Sequence, residues 1–249
     1  MSAEAVAIVP ARWGSTRLPG KPLAVIAGKP MIRHVVERAA RARSLSRVIV
    51  ATDDERIAEA VRAFGGEAVM TGTQFATGTD RIAHVAASLP AVDLVVNVQG
   101  DEPLLDPGMI DEAVRPLLDD PSVQAGTLAR RIEDPGELQN PGVVKVVTDR
   151  NGFALYFSRS PVPFSRDHPG EPPRGGALAH VGLYVFRRAF LLRYSLLPRT
   201  PLEEAEQLEQ LRILEHGYRI AVRETRHRTV AVDTEADLRR VRAIMEATA

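Results

Sequence analysis

The first half of the chain alternates short apolar runs with stripes of helical spacing. Residue run 6–9 (Val-Ala-Ile-Val) has the pattern of a strand buried on both faces, 94–98 is the most buried-looking strand, and 48–52 and 67–70 read as further strands. Between them, Met31, Ile32, Val35, Val36 and Ala39 fall on one helical face, and further helices are expected over 55–64, 80–89 and 107–118. Pro10 has no N–H for a ladder and is expected to end the first strand. Pro30 opens the first helix, and Gly65-Gly66 closes the second. Strands and helices in strict alternation with short connections predict a parallel sheet covered by helices. Ligands of such sheets bind beyond the carboxyl ends of the strands, so Arg12, Asp53 and the segment after Met70 are expected on one rim.

The pattern then changes. Residues 123–131, 143–148, 153–158 and 181–186 read as strands, with a turn at 149–152 whose Asn-Gly pair signals a hairpin. Residues 159–176 hold five prolines and three glycines, which predicts a lid-like loop without regular structure. A single amphipathic helix is expected over 201–214, with Leu202, Ala205, Leu208, Leu211 and Leu214 as its apolar stripe and Glu203, Glu204, Glu206 and Glu209 as surface charge. Strands follow at 219–222 and 229–232. Thr234 and Asp237 have the spacing of a capping box at the head of a last helix. The expected organisation is α/β: one domain over 1–249, a mixed and mostly parallel sheet, and an antiparallel subdomain at about 123–200.

Chemistry gathers first in the loop after residues 6–9. Arg12, Arg17 and Lys21 recur there among Gly14, Ser15, Thr16 and Gly20. Small residues let backbone N–H groups approach a ligand, and the cations neutralise a polyphosphate. The net charge is +0, which speaks against nucleic acid and membrane surfaces as partners, yet residues 1–50 carry nine Lys/Arg against two Asp/Glu. Arg33, Arg38, Arg41, Arg43 and Arg47 fit a solvated helix face equally well. The chain has no cysteine, so thiolate chemistry is excluded. No signal-peptide pattern and no window near the ~20 apolar residues of a membrane span is visible, and a cytoplasmic protein is expected.

Two carboxylates sit where strands end. Asp101 follows the run at 94–98 and Asp233 follows 229–232. Mg²⁺ takes one or two carboxylates together with substrate phosphate oxygens. Asp101 also reads as a turn cap before Pro103, and Asp233 as a partner of the helix dipole. Thr77 or Thr79 caps the helix near residue 80, a position that also suits an anion. His180 and Lys145 read as structural residues as readily as functional ones. A cationic loop, two strand-end aspartates and an α/β sheet together point to nucleotidyl transfer from a nucleoside triphosphate.

Base and acceptor come from resemblance. The stretches I-V-P-A-R-W-G-S-T-R-L-P-G-K-P, V-I-V-A-T-D, T-G-T-D-R, V-N-V-Q-G-D-E-P, V-K-V-V-T-D, A-L-Y-F-S-R, H-V-G-L-Y, L-E-Q-L-R-I-L and V-D-T run in order from residue 8 to 234. Together they resemble the 3-deoxy-manno-octulosonate (Kdo) cytidylyltransferase family; the first of them also resembles CMP-sialate synthetases. The resemblance implies a Rossmann-like nucleotidyltransferase fold and the reaction CTP + Kdo → CMP-Kdo + diphosphate, which activates Kdo for lipopolysaccharide synthesis. It implies Arg12, Ser15, Arg17, Lys21, Thr77, Gly78 and Arg81 on the nucleotide, with Arg12, Arg17 and Lys21 at the triphosphate. It implies Asp101 and Asp233 on Mg²⁺, and Gln99, Arg159, His180, Tyr184, Glu209 and Gln210 on the sugar. It also implies a homodimer built through the antiparallel middle third. The alternatives are an amino-substituted Kdo or another 2-keto sugar acid as acceptor, or a nucleotide-binding regulator without turnover.

Overall fold

The computed structural model describes residues 3–14, 18–75, 77–173 and 175–247. In chain order the elements are β1 (Ala5–Ala11), β2 (Val25–Ile26), β3 (Lys29–Pro30), α1 (Met31–Ala39), β4 (Arg47–Thr52), α2 (Glu55–Ala63), β5 (Glu67–Met70), α3 (Gly78–Ala87), β6 (Leu94–Asn97), α4 (Pro107–Asp119), β7 (Ala125–Arg131), α5 (Pro135–Gln139), β8 (Lys145–Thr148), β9 (Ala154–Ser158), β10 (Leu178–Arg187), α6 (Arg188–Tyr194), α7 (Pro201–Glu206), α8 (Gln210–Glu215), β11 (Ile220–Glu224) and α9 (Glu235–Glu246). The chain divides into two compact units, residues 1–111 with 228–249, and residues 112–227.

In the first unit the strands lie in the order β6-β1-β4-β5, all parallel. Residues 5–9 of β1 are buried on both faces, as an unbroken apolar run requires. The strand does not stop before Pro10. It runs to Ala11 against Thr52 of β4. The carbonyl of Ile8 accepts the Val98 N–H at 3.2 Å, so Pro10, two residues on, faces the same side, where β6 has already ended at Asn97. The missing N–H therefore falls where no ladder partner exists. Between β1 and α1 the chain makes a 3-10 turn at Lys21–Leu23 and a small antiparallel pair, β2 with β3, neither of which the sequence pattern signals. Ile26, Met31, Val232, Leu238 and Val241 form one buried cluster, with Leu18 and Ala24 packed on it. That cluster anchors the turn around Lys21 and the chain before Asp233 to the same piece of core. The expected strand at 229–232 is absent; those residues have no regular structure. The capping box of α9 forms as expected, with Thr234 Oγ1 accepting from the Asp237 N–H.

In the second unit β7 pairs antiparallel with β10 and parallel with β11, β8 pairs antiparallel with β10, and β8 and β9 form the expected hairpin. Asp149 Oδ1 accepts the N–H groups of Asn151 and Phe153 and so shapes the hairpin turn. The described residues of 159–177 carry neither helix nor strand. The helix expected over 201–214 is two helices. Gln207 adopts a left-handed conformation (φ 53°), and Leu208 donates back to the Glu203 carbonyl. The apolar stripe is corrected with it: Leu202 and Ala205 are exposed, whereas Glu203 is buried and ion-paired with Arg212 at 2.5 Å.

Candidate functional site

The first unit brings its strand ends to one rim. Thr71 donates its N–H to Thr52 O, linking the ends of β4 and β5. Thr77 caps α3 by accepting from the Asp80 N–H at 3.1 Å, and Gly78 opens that helix over Pro10 of β1. A Cβ on Gly100 would come within 2.9 Å of the Pro10 carbonyl oxygen, so the turn after β6 packs directly on the end of β1. Gln99, half-buried, lies in that turn.

Lys21 is the centre of this rim. Gly20, at φ 68°, lies against the Trp13 ring and turns the chain into Lys21. The Lys21 ammonium stands 2.7 Å from Asp101 Oδ2 and 3.2 Å from Asp233 Oδ1. The three side chains lie 80 and 212 residues apart along the chain. A backbone bond from Val232 N–H to the Asp101 carbonyl, 2.9 Å, holds the two aspartate segments side by side. Next to Asp101, the Glu102 carboxyl is pushed up to about 7, first by burial and then by the Asp101 charge. Arg12 is exposed at the end of β1. Ser15 and Arg17 lie outside the described residues.

Arg81 stands apart from the other expected nucleotide contacts. It is fully buried, donating to Thr71 Oγ1 and, at 2.6 Å, to Asp53 Oδ2. Its guanidinium braces the ends of β4 and β5 from behind the rim. Asp53 and Thr71 were not singled out as its partners; their positions just after apolar runs were the available signal.

In the second unit, His180 and Tyr184 flank a bulge in β10 between Val181 and Tyr184. At the bulge the buried Thr127 hydroxyl lies within hydrogen-bonding reach of the carbonyl oxygens of Val181 and Leu183, at 3.2 and 2.8 Å. The same hydroxyl oxygen lies 3.0 Å from His180 Nε2, close enough to accept from it when that nitrogen carries the proton. Burial lowers the His180 pKa to about 3 and raises that of Tyr184 well above its usual value. Phe157 meets the His180 ring edge-on at 5.1 Å, and His180 and Tyr184 lie 5.2 Å apart. Tyr194 Oη donates to the Glu209 carbonyl at 2.9 Å, and Gln210 is buried at the start of α8.

Arg159 is held by the break between α7 and α8. Its Nε donates to Glu206 O at 2.8 Å, Nη2 to Gln207 O at 3.4 Å and Nη1 to Pro141 O at 3.1 Å. The Glu206 carboxylate accepts from Ser158 Oγ at 2.6 Å and from the Arg159 N–H at 2.9 Å. Burial works to raise the Glu206 pKa, but these bonds outweigh it and hold the group below its usual value. Lys145, fully buried, donates to the carbonyls of Asn140, Val143 and Arg159 at 2.6–3.0 Å. Sequence reasoning left Lys145 open and counted Glu206 as surface charge. A lysine inside an apolar strand was the one signal available for this cluster.

The fold is that of a nucleotidyltransferase. The profile of the Cytidylyltransferase family matches residues 6–220. A curated relative, the 3-deoxy-manno-octulosonate cytidylyltransferase of Geobacter sulfurreducens, is 57% identical over 242 residues, 94% of this chain and 96% of its own. Its counterpart in Solibacter usitatus is 53% identical over 247 residues, 99% and 96% of the two chains. A solved structure of CMP:2-keto-3-deoxy-manno-octonic acid synthetase complexed with CTP superposes with a TM-score of 0.93 at 44% identity, covering 99% of this chain and 100% of that one. A 4-diphosphocytidyl-2C-methyl-D-erythritol synthase from Anaerococcus prevotii, at 14% identity and TM-score 0.65 over 98% and 97% of the chains, shares the fold. The chain belongs to the cytidylyltransferase family, and within it to the 3-deoxy-manno-octulosonate cytidylyltransferases.

Proposed function

We propose that this protein transfers the cytidylyl group of CTP to Kdo, giving CMP-Kdo and diphosphate. The observation that carries this reading is the Lys21–Asp101–Asp233 cluster at the carboxyl ends of β1 and β6, in a chain more than half identical to curated enzymes of that name. In the transfer, the anomeric hydroxyl oxygen of the sugar forms a new bond to the α-phosphorus while the bond from that phosphorus to the bridging oxygen breaks. Diphosphate leaves with the bonding electrons, and the hydroxyl proton is lost to solvent or a base.

Arg12, Arg17 and Lys21 neutralise the triphosphate, Ser15 binds the nucleotide with them, and the α3 N-terminus at Thr77 and Gly78 offers N–H groups to it. Arg81 acts from behind, by fixing Asp53 and Thr71. Among the described residues no cluster of three or more His, Cys, Asp or Glu is poised for a metal. Two carboxylates already gathered around one cation nevertheless fit Mg²⁺, which takes its remaining ligands from substrate oxygens and water. Asp101 and Asp233 would hold that ion. When bound, it supplies charge neutralisation at the phosphates and lowers the pKa of the attacking hydroxyl.

Arg159, His180, Tyr184, Glu209 and Gln210, all in the second unit, are assigned to the sugar. Arg159 has N–H groups beyond the three donated to carbonyls, and a carboxylate-bearing sugar acid suits them. His180, held neutral, serves as a hydrogen-bonding and packing group and not as a proton carrier. The second unit also carries the most exposed large apolar side chains, Leu155, Phe164 and Leu196, in support of a homodimer. No helix among the described residues is long and apolar enough to cross a membrane. The deciding experiment offers CTP, UTP, ATP and GTP with Kdo, an amino-substituted Kdo and sialate as acceptors and follows diphosphate release. Release only with CTP and Kdo is expected; release only with another acceptor overturns the reading.

A further inference from the structure

The Lys21 ammonium occupies the position between Asp101 and Asp233 that a divalent ion bound by both would take. Its Nζ is 2.7 Å from one carboxylate and 3.2 Å from the other, and its side chain is 14% exposed. Mg²⁺ stands 2.0–2.1 Å from carboxylate oxygens, so an ammonium and a metal do not fit between the same pair together. The backbone under Lys21 is fixed: Lys21 N–H donates to Leu18 O, Leu23 N–H to Gly20 O, and Pro22 is buried. The four-carbon stem is the one part free to move the charge.

From this geometry we infer that Lys21 is an internal counter-ion that fills the metal position in the nucleotide-free protein and leaves it when the metal binds. The inference rests on the reading of Asp101 and Asp233 as metal ligands. Metal entry then requires a second place for the displaced ammonium, and the triphosphate of the arriving nucleotide supplies one. Metal and nucleotide therefore bind with positive coupling through a single side chain. In the free protein the lysine relieves the repulsion of two neighbouring carboxylates, so the rim stays assembled without metal. It also makes the empty site a poor one for a divalent cation alone.

The test measures Mn²⁺ binding to the full chain without nucleotide, by the electron paramagnetic resonance signal of free Mn²⁺, for the wild type, Lys21→Met, Asp101→Asn, Asp233→Asn and Lys29→Met. Lys21→Met is expected to bind Mn²⁺ about tenfold tighter or better, the equivalent of losing one competing ion pair of ~1.4 kcal/mol. Lys29→Met, a lysine paired elsewhere with Glu37, is expected to bind as the wild type does. Equal or weaker binding by Lys21→Met, with binding abolished in the aspartate variants, overturns the counter-ion role and leaves the metal reading standing. Unchanged binding in both aspartate variants overturns the metal reading and this inference with it. Should Lys21→Met fail to fold, the wild type decides the matter. The chain has three lysines, Lys21, Lys29 and Lys145, so each side-chain ¹⁵N resonance is assignable. A saturable Mg²⁺-dependent shift of the Lys21 signal alone is expected; a Lys21 signal that does not respond while Mn²⁺ binds overturns the inference.

Discussion

The N–H of Val232 donates to the carbonyl oxygen of Asp101 across 2.9 Å, and through that bond the last segment of the chain completes the rim of the first unit. Val232 is fully buried with Ile26 and Met31, so Asp233 leaves an anchored residue and reaches Lys21. The site is assembled by backbone and core packing before any ligand arrives.

Replacing Asp101 with Asn tests the metal assignment in turnover. Asp101→Asn keeps the side-chain shape and removes the charge. A fall in kcat on the order of 10²-fold or more is expected, with the CTP affinity measured without divalent metal largely kept. Steady-state kinetics in Mg²⁺ beside calorimetric CTP binding make the comparison; an unchanged kcat would contradict the role.

Arg159→Ala is expected to raise KM for Kdo on the order of tenfold or more and to leave KM for CTP nearly unchanged. Equal rises in both constants would remove Arg159 from the sugar side. The variant also deprives Glu206, Gln207 and Pro141 of a donor to their carbonyls. Urea denaturation should therefore show a loss of about 1–2 kcal/mol.

Glu102 makes stability pH-dependent. Its carboxyl, raised from 4.5 to about 7 by burial and the Asp101 charge, keeps its proton in the native state where the unfolded chain has lost it. This contribution to stability is full below about pH 4.5 and is lost as pH rises towards 7, by about 3 kcal/mol in total. Glu102→Gln, which stays neutral, should gain that much on the wild type between pH 4 and pH 8 in metal-free denaturation curves. A difference between the two proteins that is constant with pH would contradict the burial argument.

His180 should remain neutral across the working range, its pKa held at about 3 by burial. Imidazole ring signals followed by NMR from pH 5 to 8 are expected not to move, and the pH–rate profile should carry no limb from this residue. A midpoint near 6.5 assigned to His180 would overturn both expectations.

Legibility along the sequence followed the range of the forces involved. Three strands of the first unit, β1, β4 and β6, were readable because an apolar run buried on both faces is a local signal, whereas β5 at the sheet edge is only half-buried; the caps at Thr77 and Thr234 were readable too. Pro10 was misjudged because its tolerance depends on where the neighbouring β6 ends. The helix break at Gln207 was invisible because no glycine marks it. A left-handed residue there costs ~1–2 kcal/mol, and the carbonyls of Glu206 and Gln207 offset it by accepting from Arg159, far away in the chain. Glu203 was counted as surface for the same reason, since its partner Arg212 lies beyond that break.

By itself, then, the sequence determined the alternation of parallel strands and helices in the first unit, the cationic loop, the strand-end aspartates and the family those motifs belong to. These reside in short stretches whose residue types act on their neighbours. Tertiary structure alone decided that Lys21 sits between Asp101 and Asp233, that Arg81 is spent on Asp53 and Thr71, and that burial keeps His180 neutral. Each of these is a contact between residues distant in the chain. Burial and charge at such contacts depend on which surfaces the folded chain brings together, and no local pattern records that.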